Sequence, residues 1–189
     1  MSIGRGRKMK MKIFVVASVS LVAVLVFTAS AFAISMPDYI KSLQEGMHTN
    51  ISVRGHFVTV EGNSESYQNM IPALLMTGVL NNEMSQQFFE IRPITVANAV
   101  LLSSITGFLD LYYKSHTNNI HVVCFLEKRN DYGRINRLKF FSFNFSKSIN
   151  DQVDWNNFIT ANLMKIAPGF SYEPWAMMAL GQELQGVGQ

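Results

Sequence analysis

Cys124 is the only cysteine in the chain, and its thiol is the strongest nucleophile the sequence offers. A reactive thiol needs a neighbour that favours the thiolate. A hairpin register that sets Tyr113 against His121 brings Asp110 opposite Cys124. A similar register across the next turn sets Arg137 on its other side, where a guanidinium would lower the thiol pKa. Cys124, Asp110 and Arg137 are therefore the candidate catalytic residues. His121 falls on the opposite face of its own strand from Cys124, so it cannot act as the base. A one-residue slip reverses every such placement, and a free cysteine among Val, Phe and Leu is more often a small core residue. The balance favours a chain with no catalytic site.

The remaining chemistry is sparse. His48, His56, His116 and His121 show no His-x-x-x-His spacing, and no Cys-x-x-Cys occurs, so no metal or cofactor is expected. Gly-x-Ser-x-Gly, a Gly-rich phosphate loop and an Asp-rich calcium loop are all missing. Asn50-Ile51-Ser52 and Asn144-Phe145-Ser146 match the glycosylation acceptor triplet, which is common by chance.

The most definite stretch lies at the start. Arg5, Arg7, Lys8, Lys10 and Lys12 form a basic head, followed by an apolar run over 13–27 and small residues ending in Ala31-Phe32-Ala33. A positive head, an apolar middle and an Ala-x-Ala end predict a secretory signal peptide over 1–33, with cleavage after Ala33 and Ala31 at the −3 position. The alternative is an uncleaved anchor, since roughly 20 apolar residues cross a bilayer. Either version carries residues 34–189 across the membrane, because the basic head stays on the cytoplasmic side. A periplasmic or extracellular location is expected.

Removing the 33-residue leader from 189 residues leaves 156, an ordinary size for one domain. The leader holds five of the 16 Lys and Arg and none of the 13 Asp and Glu. The remainder thus has 11 cations against 13 acids, and the basic pI belongs to the leader. That excludes a nucleic-acid partner inferred from charge. One cysteine allows no internal disulfide. Few charges and abundant Phe, Tyr and Met suggest a large core or an apolar surface covered by a partner.

Residues 34–189 alternate helical and strand patterns. Ser35-Met36-Pro37-Asp38 predicts a capped helix start, with Met36, Ile40, Leu43 and Met47 on one face. Residues 51–61 alternate as a single strand, and Ser64 is placed to cap the next helix. Residues 65–106 read as mainly helical, with Pro72 as a kink, a short helix over 83–89 and a new start at Pro93. Two uncharged windows, 66–82 and 93–109, fall short of a membrane span and predict buried helices. Residues 108–114, 120–127 and 134–145, separated by turn-rich links, predict a three-stranded antiparallel meander over 108–145. Adjacent Phe140 and Phe141 shift the apolar parity of the last strand, which a β-bulge would explain. Asn150 is expected to cap a helix striped by Trp155, Phe158, Ile159, Leu163 and Ile166, stopped by Pro168-Gly169 and followed by a second helix over 175–184.

Arg137-Leu138-Lys139-Phe140-Phe141, followed by Val153-Asp154-Trp155-Asn156, is similar to the YbjN-type family over a short part of the chain. The Gly- and Asp-rich turn and the second cysteine expected of that family's exported members are absent here. The likeness implies no settled activity.

The expectation is a single α+β domain, an antiparallel sheet of about four strands packed by helices on its apolar face. The expected role is an exported, non-enzymatic binding or assembly protein for an unknown protein or apolar ligand, touching the membrane only through an uncleaved N-terminal segment. An exported hydrolase with a dispersed site and an envelope component anchored by that segment are the alternatives.

Overall fold

The computed structural model of the chain describes residues 34–69, 93–130 and 132–186. The leader with Ala31 and Ala33, the Pro72 kink and the helix expected over 83–89 lie outside the described residues. The order is α1 (Met36–Met47), β1 (Thr49–Arg54), β2 (Phe57–Asn63), a helical stretch over 64–69, α2 (Pro93–Tyr112), β3 (Ile120–Arg129), β4 (Ile135–Phe145), α3 (Lys147–Asn150), a 3-10 turn (Thr160–Asn162), α4 (Leu163–Ile166), β5 (Ser171–Tyr172) and α5 (Pro174–Gly186). The strands form one five-stranded sheet in sequence order. Every neighbouring pair is antiparallel except β2 and β3, which run parallel because the helical crossover returns the chain to the same end of the sheet. The chain is an α+β fold with a mostly antiparallel sheet.

α1 begins as its sequence predicts. Ser35 has an extended backbone and its hydroxyl accepts the Asp38 N–H, with Pro37 in the first turn. His48 ends it in the left-handed region at φ 49°. The helix buries Tyr39 and Leu43. Tyr39 lies across Gly107 of α2, and its hydroxyl donates to the Ser104 carbonyl at 3.1 Å. A second tyrosine repeats the device. The Tyr67 ring covers Gly62, and its hydroxyl shares a 2.7 Å hydrogen bond with Thr49, the residue paired with Gly62 across β1 and β2. Both approaches require glycine, since a Cβ at either position would meet the ring.

Residues 51–61 are two strands rather than one. Gly55, at φ 61°, supplies the left-handed turn that folds β1 back on β2. Asn63, not Ser64, caps the following helical stretch, because its side-chain oxygen accepts the N–H groups of Glu65 and Ser66.

The expected meander is corrected more deeply. Residues 108–112 end α2, so the meander reduces to the β3–β4 hairpin. Leu101, Leu102, Ile105, Phe108, Leu109 and Tyr112 continue one helical period and are all buried. Burial almost all round the helix makes both parities apolar, which imitates strand alternation. Ile94–Tyr112 is long and apolar enough to cross a membrane by length and composition, and most of it is buried inside the fold.

The sheet packs Val58 and Val60 of β2, Val122, Cys124 and Leu126 of β3, and Phe141, Phe143 and Phe145 of β4 into one core with α1, α2 and Ala176 of α5. The expected bulge is present. Phe141 stands opposite Cys124 and Lys139 opposite Phe125, leaving Phe140 as the extra residue. Phe140 is fully buried beneath Tyr172 and Trp175.

The long helix expected after Asn150 is broken into pieces. Ser146 caps α3, and Asn150 instead accepts the Trp155 indole N–H at 3.1 Å. Asp154 takes the Asn156 N–H and the Asn157 amide, so local side-chain bonds outcompete the helical ladder. Gly169, at φ 67°, turns the chain toward β5, and α5 follows from Pro174.

Candidate functional site

The three catalytic candidates do not meet. Cys124 is fully buried on the helix-covered face, paired with Val60 and Phe141, and burial pushes its thiol well up, away from the thiolate. Asp110 belongs to α2 and pairs with Lys114 one turn later, at 3.3 Å. Arg137 stands opposite Glu127 on the other face of the sheet, where its guanidinium lies 3.7 Å from the Phe125 ring centre and pairs with Glu61. The register that would have joined them fails because Asp110 is helical.

The histidines are also dispersed. His48 caps α1, and His56 Nδ1 meets the Asn119 carbonyl at 3.0 Å. His116 stacks on Tyr112 with 4.1 Å between ring centres, and His121 bonds the Asn144 side chain at 2.8 Å beside Phe57. Among the described residues no group of three or more His, Cys, Asp and Glu is arranged to hold a metal ion.

The distinctive surface is the free end of the β3–β4 hairpin. Asn130 N–H donates to the Arg134 carbonyl and Gly133 N–H to the Asn130 carbonyl, with Gly133 at φ 76°. These bonds close the turn beside a left-handed glycine. Asn130 also accepts the N–H groups of Tyr132 and Arg134 through its side chain, which stiffens the loop. Tyr132 is held at its tip with 90% of its surface exposed, and Ile135 beside it is 58% exposed.

Main-chain direction follows from that closure. Asn130 and Arg134 face each other, and successive residues alternate, so Ile135, Arg137 and Lys139 aim their N–H and C=O groups away from β3. The outer edge is satisfied only from Lys139 onward. Trp175 donates its indole N–H to the Lys139 carbonyl at 2.8 Å, Glu173 N–H bonds the Phe140 carbonyl at 2.9 Å, and β5 pairs with Phe141 and Ser142. Among the described residues nothing pairs with the outer groups of Ile135 and Arg137, and residues 135–139 are all exposed.

This edge is cationic. Lys128, Arg129, Arg134, Arg137 and Lys139 supply five of the 11 cations outside the leader, with Asp131 as the one acid in 128–139. Three of them have partners. Arg129 meets Glu65 at 3.4 Å, Lys139 meets Glu173 at 2.8 Å, and Arg137 pairs with Glu61. Lys128 and Arg134 make no ion pair among the described residues. Leu138 adds a further partly exposed apolar side chain.

No protein-family model, curated protein or solved structure matches this chain.

The concentration of cations over 128–139 is visible in the sequence once the leader is set aside, interleaved with Tyr132, Ile135 and Leu138. Residues 134–145 read as one β-rich run with a parity shift at Phe140, which does not show how much of the outer edge is paired. The significance of those cations depends on where β5 ends, and a two-residue strand leaves no sequence signal.

Proposed function

We propose that the chain is an exported, non-enzymatic binding or assembly protein that engages its partner through the free end of the β3–β4 hairpin. The observation that carries this reading is the edge over 135–139. It combines main-chain groups without a partner among the described residues with exposed Tyr132, Ile135 and Leu138, on a support whose other half is locked into the core. Unpaired strand edges are templates for pairing with another chain, and apolar side chains at a protruding loop suit an interface core. The buried, protonated Cys124 and the dispersal of Asp110, Arg137 and the histidines give an enzyme no comparable support. Export is the contribution of the basic and apolar leader over 1–33.

The test is partner capture from the native envelope with the full chain and with the double variant Lys128→Glu, Arg134→Glu. A partner retained by the natural chain and lost with the variant supports the reading. Equal retention by both removes the hairpin from it. N-terminal sequencing of the exported protein checks the leader, with a chain beginning at Ile34 expected and one beginning near Met1 counting against cleavage.

A further inference from the structure

We infer that the hairpin's ligand is an extended, acidic polypeptide segment, added as a strand along the outer edge of β4 over 135–139; this rests on the binding role proposed above and names the partner's chemistry. The main chain supplies the first half of the argument. The N–H and C=O of Ile135 and Arg137 and the N–H of Lys139 point outward in line with β5, with no partner among the described residues. An incoming strand satisfies them as β5 satisfies Phe141 and Ser142, and Trp175 and Glu173 mark where it must stop. Strand addition draws affinity from main-chain bonds and specificity from alternate side chains.

Charge selects the occupant. Lys128 and Arg134 beside this edge make no ion pair among the described residues, and the partners of Arg129, Arg137 and Lys139 are partly exposed carboxylates. Such pairs exchange for incoming carboxylates at little cost. A second copy pairing antiparallel through the same edge about Arg137 sets Arg137 against its own equivalent and diagonal to the other copy's Lys139, and such like charges oppose that. An anionic membrane is also a poorer fit. Lipid headgroups carry negative charge but no main-chain N–H and C=O groups to pair with those of Ile135 and Arg137.

The experiment measures fluorescence anisotropy of labelled peptides with the full chain. The probes are an alternating Glu-Val octapeptide, the same peptide N-methylated at alternate residues, and a Lys-Val octapeptide. Ile135→Pro removes one outward N–H without touching the bonds to β3, as proline is tolerated on the solvent side of an edge strand. Ile135→Thr removes the apolar side chain and keeps the N–H. Unchanged circular dichroism and thermal midpoint show that each variant folds. The Glu-Val peptide is expected to bind, with at least tenfold loss on N-methylation, a similar loss in Ile135→Pro and a several-fold loss in Arg134→Glu. Equal binding of the Lys-Val peptide, or of the N-methylated one, overturns the inference. So does a concentration-dependent dimer lost in Ile135→Pro, or binding to phosphatidylglycerol vesicles in place of the peptide. If the Lys128→Glu, Arg134→Glu variant loses its envelope partner while no peptide binds, the acidic strand falls and the binding role stands. If neither capture nor peptide binding responds to hairpin variants, both fall.

Discussion

β4 holds two opposite environments in one strand. From Phe140 onward Phe140, Phe141, Phe143 and Phe145 are fully buried, and β5, Glu173 and Pro168 satisfy the outer edge. Over 135–139 every residue is exposed, the cations Arg137 and Lys139 are interspersed with Ile135 and Leu138, and the outer edge has no partner among the described residues until the Lys139 carbonyl. The bulge at Phe140 separates them. The same pairing with β3 supports both halves, so their difference lies in what covers them. One half is held by apolar packing, and the other is presented by it.

The comparison breaks most simply by truncating one side chain from each half. Phe143 stacks against Phe170 and packs beside Phe141 and Phe145. Phe143→Ala is expected to cost about 3–5 kcal/mol in denaturant unfolding. Ile135→Ala is expected to stay within about 0.5 kcal/mol, as for other exposed positions. Similar losses at the two positions would mean that the hairpin end is part of the cooperative core.

How far the sequence discloses this depends on which force decides each element. The Ser35 cap, the Pro93 start, the bulge at Phe140 and α5 were legible because local chemistry and burial agree there. Residues 108–112 misled because α2 is buried on nearly every side, so its apolar pattern carries no unique period. The helix expected after Asn150 misled because Asp154 and its neighbours bond their own backbone, a choice the apolar stripe does not reveal. At the site, the cations could be counted in the sequence, but the open edge could not. Among the described residues β5 is only two residues long and Trp175 ends the coverage of that edge.

Alkaline pH sharpens the contrast. Burial raises the phenol pKa of Tyr39 and Tyr67 well above the ordinary 10, and raises Tyr172, packed against Phe140 and Phe141, to about 12. Groups with raised folded-state values keep their full contribution below pH 10, where folded and unfolded chains are both protonated. Above it the unfolded chain ionises first, so stability falls as pH rises. A loss of about 1.4 kcal/mol from each of the three tyrosines, roughly 4 kcal/mol together, is expected by pH 11 in denaturant titrations. Replacing Tyr172 with Phe is expected to flatten that slope, whereas replacing the exposed Tyr132 is expected to leave it unchanged.

A smaller effect isolates the loop that carries the hairpin end. Gly133 sits at φ 76° with open space around its Cα, so alanine there meets no steric neighbour and only a strained backbone. Gly133→Ala is expected to cost about 1 kcal/mol. Amide exchange is expected to quicken over 129–136 and remain slow over 140–145. Uniformly faster exchange along β4 would remove the division at Phe140.

The smallest effect bears on whether the exposed half can release its cations. Arg137 covers Phe125 and pairs with Glu61, with both charged groups partly in solvent. A double-mutant cycle of Arg137→Gln and Glu61→Gln is expected to give a coupling of about 0.5–1 kcal/mol, decreasing with added salt. At that strength the guanidinium can leave Glu61 for the carboxylate of an added strand while its stem stays on Phe125. A salt-insensitive coupling above about 2 kcal/mol would instead make the pair a fixed clasp of the sheet, and the cationic edge would then be a guard against strand pairing rather than a place for it.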